Sequence, residues 1–314
     1  MSKKFDLEAY KKTIKSADTP LKKDKFVELD HCLQEVLGLP GIPLGHISMI
    51  FGKSDVGKTS LLWHIAAQAQ KQDILPICCI SEGKVDWNRA EAMGVDRNKA
   101  IVNENCEYLE DVFAFMDKII NDVSNGDLPQ DIIILFDSVG NTLSKDEVKV
   151  NQDGTIEKRG SNMKAAKCIS ENMRILSKRV NDTRKISYPK SVGLVIINQA
   201  YTSPSTIPGI PPSLTPYGGT AIYYRSSLVV RMNRKSRLKA TKAGKNISFG
   251  IVANITVDKN HISSLSQSGS FIITADRFIP NLKSVIDAYK KEKSSEWGEA
   301  LELVAEKEEI DVEE

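Results

Sequence analysis

The sequence predicts an α/β fold in which helices flank a central, mostly parallel sheet, and three observations predict it. Short apolar stretches, such as Ile74–Ile80 and Val192–Ile197, alternate with segments whose apolar residues recur at helical spacing. Residues Gly52 to Ser60 read Gly-Lys-Ser-Asp-Val-Gly-Lys-Thr-Ser and fit G-x-x-x-x-G-K-[ST], a phosphate-binding loop. In Asp131–Ser138, five apolar residues run straight into Asp137. That is the pattern of a strand buried on both faces, whose carboxylate emerges at the carboxyl end. Open α/β sheets bind their ligands at that edge.

The elements follow in order. Leu7, Tyr10 and Ile14 give residues 5–15 one apolar helical face, on a helix too short to stand alone in water. Ser16 to Lys25, with Pro20 and a run of lysines, reads as a linker. Residues 1–25 are therefore expected to dock on the body or on a neighbouring protomer, with the core spanning 26–280. His46–Phe51 is the strand before the phosphate loop, and Leu61, Leu62, Ile65, Ala66 and Ala69 mark the helix after it. A second strand, Ile74–Ile80, ends in Ser81-Glu82-Gly83. Helices are expected over 86–93 and 108–123. Residues 144–161 are polar and charged and read as a mobile loop. A helix over 162–180 buries Ala165, Ile169, Met173, Leu176 and Val180, with Lys167, Arg174 and Lys178 on the opposite face. The strand Val192–Ile197 ends in Asn198-Gln199. The stretch from Ala200 to Thr215 carries four prolines and closes at Pro216-Tyr217-Gly218-Gly219, a loop long enough to be functional or disordered. Further strands are expected over 227–232, 249–258 and 270–274, and residues 281–314 as a helical, acidic tail.

Composition narrows the classes. No apolar run approaches the length of a membrane span, and the first residues lack the apolar region of a signal peptide. The five cysteines show no metal or redox spacing, so a cytoplasmic protein is expected. The net charge of +2 hides an asymmetry: residues 296–314 carry nine acidic groups and one lysine, a net of −8, which leaves +10 on residues 1–295. A basic body with an acidic tail suits nucleic acid, and equally a solvated surface with a soluble end.

The phosphate loop carries the chemistry. Gly52 and Gly57 let the backbone curl, so that N–H groups along Lys53, Ser54, Asp55 and Val56 point at phosphate oxygens. Lys58 supplies a point charge for the β- and γ-phosphates, the Thr59 hydroxyl is a hard ligand for Mg²⁺, and Ser60 continues a helix whose positive end faces the same anion. Asp137 is placed to hold that Mg²⁺, through water. A Gly-rich turn without ligand is the alternative, and the strand before and helix after the loop favour the nucleotide. Tyr201 and Tyr217, at the ends of the proline-rich loop, offer rings on which bases stack.

The motifs and their order resemble the RecA-type recombinases, from Leu37 to Ile279, and phage-encoded, UvsX-like members in Ser138–Lys145. Leu44-Gly45 leads into the strand before the phosphate loop, Ser81-Glu82 ends the next strand, and Asp137-Ser138-Val139 ends the third. Met163–Leu176 resembles the helix after the family's first DNA-binding loop. Asn198-Gln199 precedes the second, which ends at Gly218-Gly219. Lys259-Asn260 resembles a segment that reaches a neighbouring subunit's nucleotide. The resemblance implies that ATP and Mg²⁺ are the cofactors and that Glu82 orients and polarises the attacking water. It implies that Gln199 senses the γ-phosphate, that Asp86 lies near the adenine and that Lys167 and Arg174 contact DNA. The chain departs from the bacterial pattern at Arg89 and near Ala275, where aromatic residues flank the adenine, and at His261, where a second lysine reaches the neighbour's ATP. Arg89 could stack on the base through its guanidinium plane.

The expected function is an ATP-dependent DNA recombinase that forms helical filaments on single-stranded DNA and pairs it with double-stranded DNA. Recombination mediators or single-strand-binding proteins are the expected partners, and the host cytoplasm the expected location if phage-encoded. The alternatives are a ring-forming helicase or translocase on the same core, or a non-hydrolysing accessory protein.

Overall fold

A computed structural model of the chain describes residues 6, 10, 20–81, 83, 85–150, 156–158, 163–203, 213–218, 220–242, 245–263, 265 and 267–310. It opens with β1 (Phe26–Glu28), α1 (His31–Leu37) and β2 (Gly41–Pro43), and β1 and β2 pair as an antiparallel ribbon. The core then runs β3 (Ile47–Gly52), α2 (Lys58–Lys71), β4 (Ile74–Ile80), α3 (Trp87–Ala92), β5 (Ile101–Asn103), α4 (Leu109–Asn125) and β6 (Asp131–Asp137). A short hairpin of β7 (Val148–Val150) and β8 (Ile156–Lys158) precedes α5 (Met163–Asp182), β9 (Val192–Ser203), β10 (Ser213–Pro216) and α6 (Ala221–Arg225). Four strands follow, β11 (Leu228–Lys242), β12 (Lys245–Asn260), β13 (Ser268–Thr274) and β14 (Phe278–Pro280), and the last helix is α7 (Lys283–Ile310).

Ten strands form one sheet in the order β14-β13-β12-β11-β3-β9-β6-β4-β5, with β10 paired to the far end of β9. The strands from β11 to β5 are parallel, and β12, β13 and β14 extend them antiparallel. β4 follows β3 in sequence but lies beyond β9 and β6, so the winding reverses beside β3. Such a switch point opens a crevice at the carboxyl ends of the strands.

Why these residues make this sheet is plain in β6, where Ile132 to Phe136 are all fully buried. A strand covered on both faces must be apolar at every position. One face packs on α1, α2 and α3, through Leu33, Leu62, Ile65 and Ala90 among others. The other packs on α4, α5 and α6, through Val112, Met116, Ile169, Met173 and Ile222. Each such side chain contributes roughly 1.5–3 kcal/mol on burial. The core face expected for α5 is the one observed, with Ala165, Ile169, Met173, Leu176 and Val180 buried. The cysteines are free thiols, and burial pushes Cys78 up to about 12. Among the described residues, no helix is long and apolar enough to cross a membrane.

Three expectations change. The stretch 144–161 is not uniformly loop: Glu147 is buried, its carboxylate accepts the Ser144 N–H at 3.0 Å, and β7 and β8 pair beyond it. Ala200–Ser203 continue β9 and pair with Ser213–Pro216, so both ends of the proline-rich stretch are strand. Residues 204–212 lie outside the described residues, as do Leu7 and Ile14 of the expected first helix. Finally, β11 and β12 run 15 and 16 residues, far beyond the stretches expected. The outer half of β11 is rich in lysine and arginine, but its Leu238 and Ala240 join Phe249 and Val252 of β12 and Tyr289 of α7 in a small apolar cluster, so burial as well as cross-strand hydrogen bonding holds the two strands.

Candidate functional site

β3 ends and α2 begins within the crevice, and the phosphate loop spans the gap between them. Its two glycines are sterically required. A Cβ on Gly52 would lie 2.3 Å from the Met232 carbonyl oxygen, and one on Gly57, whose φ is +94°, would lie 2.3 Å from Ile273 Cδ1. Asp55, at the crest of the loop, takes a left-handed backbone with φ +57°. Lys58 is buried, and its Nζ donates to the carbonyls of Gly52 at 3.1 Å and Lys53 at 2.7 Å, which holds the ammonium across the mouth of the loop. The Thr59 hydroxyl donates to Asp137 Oδ2 at 2.6 Å, and Asp137 is 3% exposed. A hydroxyl and a carboxylate are thus side by side at the loop, from α2 and from the end of β6. β4 and β6 are tied together there: Ser81 Oγ donates to the Ser138 carbonyl at 2.8 Å and accepts the Ser138 N–H at 2.9 Å. Glu82, next after Ser81, lies outside the described residues.

A cavity of about 630 Å³ opens over this loop. Its lining includes Ser54, Asp55, Gly57, Lys58, Thr59, Ser60, Asp137, Arg89 and Gln199. Ala275 lines it too, the position at which the sequence reading expects a missing aromatic. Arg89 donates from Nη2 to Ser60 Oγ at 2.7 Å, so its guanidinium is seated on the first turn of α2. Asp86 is exposed and caps α3 by accepting the Arg89 N–H at 3.1 Å; it is not part of the lining. Arg234, Arg237 and Phe249 line the cavity and have no counterpart in the motifs. The pairing of β11 with the phosphate-loop strand, and of β12 with β11, brings them there, and a short motif carries no such signal.

Gln199 stands opposite Gly52 in the β3–β9 ladder, and so at the loop. Its side chain donates to Asn141 Oδ1 at 3.3 Å, and its carbonyl accepts the Tyr217 N–H at 2.9 Å. Asn198 adds a bond from Nδ2 to the Tyr217 carbonyl at 2.9 Å. The two ends of the proline-rich segment are therefore fastened to each other beside the cavity. Tyr201 is 53% exposed there, whereas Tyr217 packs against the core beneath. Gly218 has φ +77°, and a Cβ on it would lie 2.8 Å from Ile169 Cδ1 on α5; Gly219 lies outside the described residues. Lys167 and Arg174 are exposed on the outer face of α5.

Lys259 and His261 are not in this cavity. Lys259 pairs with Val229, which pairs with Met49, three residues before Gly52 on β3. Its Nζ donates to the carbonyls of Tyr223 and Tyr224 at 3.1 Å each, at the end of α6, and burial lowers its pKa. His261 is exposed, and its N–H donates to the Ser227 carbonyl at 2.9 Å. Neither residue reaches its own chain's phosphate loop.

The family model described as the RecA N-terminal domain matches residues 11–277. The chain belongs to the RecA family. It is 28% identical over 233 residues to Protein RecA of Mycoplasma pneumoniae, an alignment covering 74% of this chain and 62% of that one. With Protein RecA of Mycoplasma genitalium the identity is 30%, over 74% and 61% of the two chains. With that of Aquifex pyrophilus it is 26% over 279 residues, covering 87% and 73%. The chain thus spans about three fifths of the length of its Mycoplasma relatives. RecA membership implies ATP and Mg²⁺, and the site fits both. The two glycines leave a cradle that any side chain would fill, Lys58 faces it, and Thr59 and Asp137 supply adjacent hard oxygens.

Proposed function

We propose that this chain is an ATP-dependent DNA recombinase that assembles as a helical filament on single-stranded DNA. One observation carries the reading. Gln199 lines the phosphate cavity and its carbonyl holds the Tyr217 N–H, so one residue belongs to both the cavity and the proline-rich segment. Bound ATP supplies a phosphoanhydride whose γ-phosphate is present before hydrolysis and absent after. Lys58 neutralises that end of the chain of phosphates, Thr59 and Asp137 hold Mg²⁺, and Glu82 orients water for attack. Gln199 shifts with the γ-phosphate and pulls on Tyr217, which changes how the loop meets DNA. Lys167 and Arg174 meet DNA phosphates, and Tyr201 stacks on bases, which gives salt-sensitive, weakly sequence-dependent binding. Lys259 and His261, remote from their own cavity, act on the neighbouring protomer's nucleotide. Double-stranded DNA is then read by base pairing, and mediator or single-strand-binding proteins are the natural partners in the cytoplasm.

Electron microscopy of the protein with single-stranded DNA and a non-hydrolysable ATP analogue tests this. Open helical filaments are the expected result. Closed hexameric rings would overturn it in favour of a translocating motor.

A further inference from the structure

We propose that Arg234 and Arg237 of β11 bind the nucleotide's phosphates in cis, a second cationic arm facing Lys58 across the cavity. The inference rests on the nucleotide reading of that cavity and adds residues that no phosphate-loop motif contains. β11 pairs with β3 only as far as Met232 opposite Gly52, and then continues to Lys242 past the phosphate loop. Two arginines three positions apart on a regular strand would point to opposite faces. Here they do not, because the register shifts between them: Arg234 is opposite Ala253, Ser236 is opposite Val252 and Arg237 is opposite Ile251, so Lys235 is an extra residue. This β-bulge re-aims the strand and returns both arginines to one face, the face that carries α2.

The row in which Arg237 stands fixes what it can reach. Arg237, Ile251 and Ile273 are neighbours across β11, β12 and β13. Ile273 and Ile251 are the side chains that a Cβ on Gly57 would meet, at 2.3 and 3.4 Å. With strands about 4.8 Å apart, the row forms a shelf beside the phosphate loop, with the two isoleucines against Gly57 and Arg237 at the end on the β3 side. Arg234 is nearer still: its Nη1 donates to the Asp55 carbonyl at the crest of the loop, at 3.1 Å. That bond uses one of the guanidinium's five donors. Both side chains are exposed and both line the cavity, and among the described residues neither pairs with an acid. Charge argues the same way. Asp55 and Asp137 put two carboxylates in the lining, and Mg²⁺ held at Asp137 would offset only part of the charge of a bound polyphosphate. With Lys58 and Arg89, Arg234 and Arg237 make four cationic side chains in the lining against two carboxylates, which leaves it cationic.

Arg237→Gln and Arg237→Lys, with Lys58→Ala in parallel, test the proposal by titration with ATP, ADP and adenosine in the full chain. Arg237→Gln should weaken ATP about tenfold, as expected for one hydrogen bond to a charged group. It should weaken ADP less and leave adenosine unchanged, Arg237→Lys should recover part of the loss, and thermal unfolding should match the parent. Loss with Lys58→Ala but parent ATP affinity with Arg237→Gln would overturn this inference alone. Parent affinity in both would overturn the nucleotide reading as well. Equal loss for adenosine would move the arginine to the base, and loss of nucleotide-free DNA binding with intact ATP affinity would move it to DNA; either result overturns the proposal.

Discussion

Lys58 is buried, and its ammonium donates to the carbonyls of Gly52 and Lys53 in the loop it belongs to. An ammonium held across the mouth of the loop is poised for an anion. Lys58→Ala should therefore leave thermal unfolding close to the parent and reduce ATP affinity by about 10- to 100-fold. Titration with ATP checks the loss, and unchanged affinity would remove the phosphate-loop assignment. At this scale the sequence was most informative, because the motif fixes residue types at fixed spacing on one turn of chain. Arg89 is the contrast. Its place in the adenine region follows from the family resemblance, but its bond to Ser60 Oγ does not, since that depends on how α3 packs over α2.

At the scale of elements, α7 closes the far side of the cavity wall. Phe249 lines the cavity, stacks on Tyr289 with ring centroids 6.0 Å apart, and packs at a tilt on Trp297 with centroids 5.3 Å apart. Asp276 pins the helix to the turn after β13: its carboxylate accepts Thr274 Oγ1 at 2.8 Å and Tyr289 Oη at 2.9 Å and lies 3.2 Å from Lys293. Burial would raise the Asp276 pKa, but these hydrogen bonds, with that from Arg277, outweigh it and lower the value from 3.8 to about 2. A depressed carboxylate stabilises the fold above its unfolded pKa and loses that contribution as pH falls through the folded one. Asp276→Asn should thus cost about 2 kcal/mol near neutral pH, and the gap to the parent should close between pH 3.8 and about 2. Denaturant unfolding followed by tryptophan fluorescence measures it; a gap constant with pH would show that the charge is not involved. The segment after β9 offers a second check. Its ends are fastened by Gln199 and Asn198, so cleavage within 204–212 should be suppressed only when DNA and a non-hydrolysable ATP analogue are present together. Protection by DNA alone would show that Gln199 does not couple the two sites.

For the whole molecule, charge separation is the governing feature. Residues 299–314 carry a net −7 on a chain of net +2. Truncation belongs after Gly298 rather than at Glu296, because Trp297 packs on Phe249 and a shorter chain would disturb the cavity wall. Removing residues 299–314 should tighten single-stranded DNA binding at low salt, and the gain should shrink as salt screens the attraction. Equal affinity with and without the segment at low ionic strength would show that it does not compete with phosphates for the basic surface.

The sequence by itself determined the α/β class, the phosphate loop, the acidic end of β6, the buried face of α5 and the family. Each is written in local pattern: spacing on one turn, alternation along one strand, or a stripe along one helix. Only the tertiary structure decided that Gln199 stands opposite Gly52, that a bulge at Lys235 turns two arginines toward the loop, and that Phe249 with α7 behind it forms the wall. These depend on which strands become neighbours and in what register. Register is set by long-range burial and hydrogen bonding across the sheet, and the bulge at Lys235 breaks the strand period, so the pattern of the outer half of β11 does not by itself give its register.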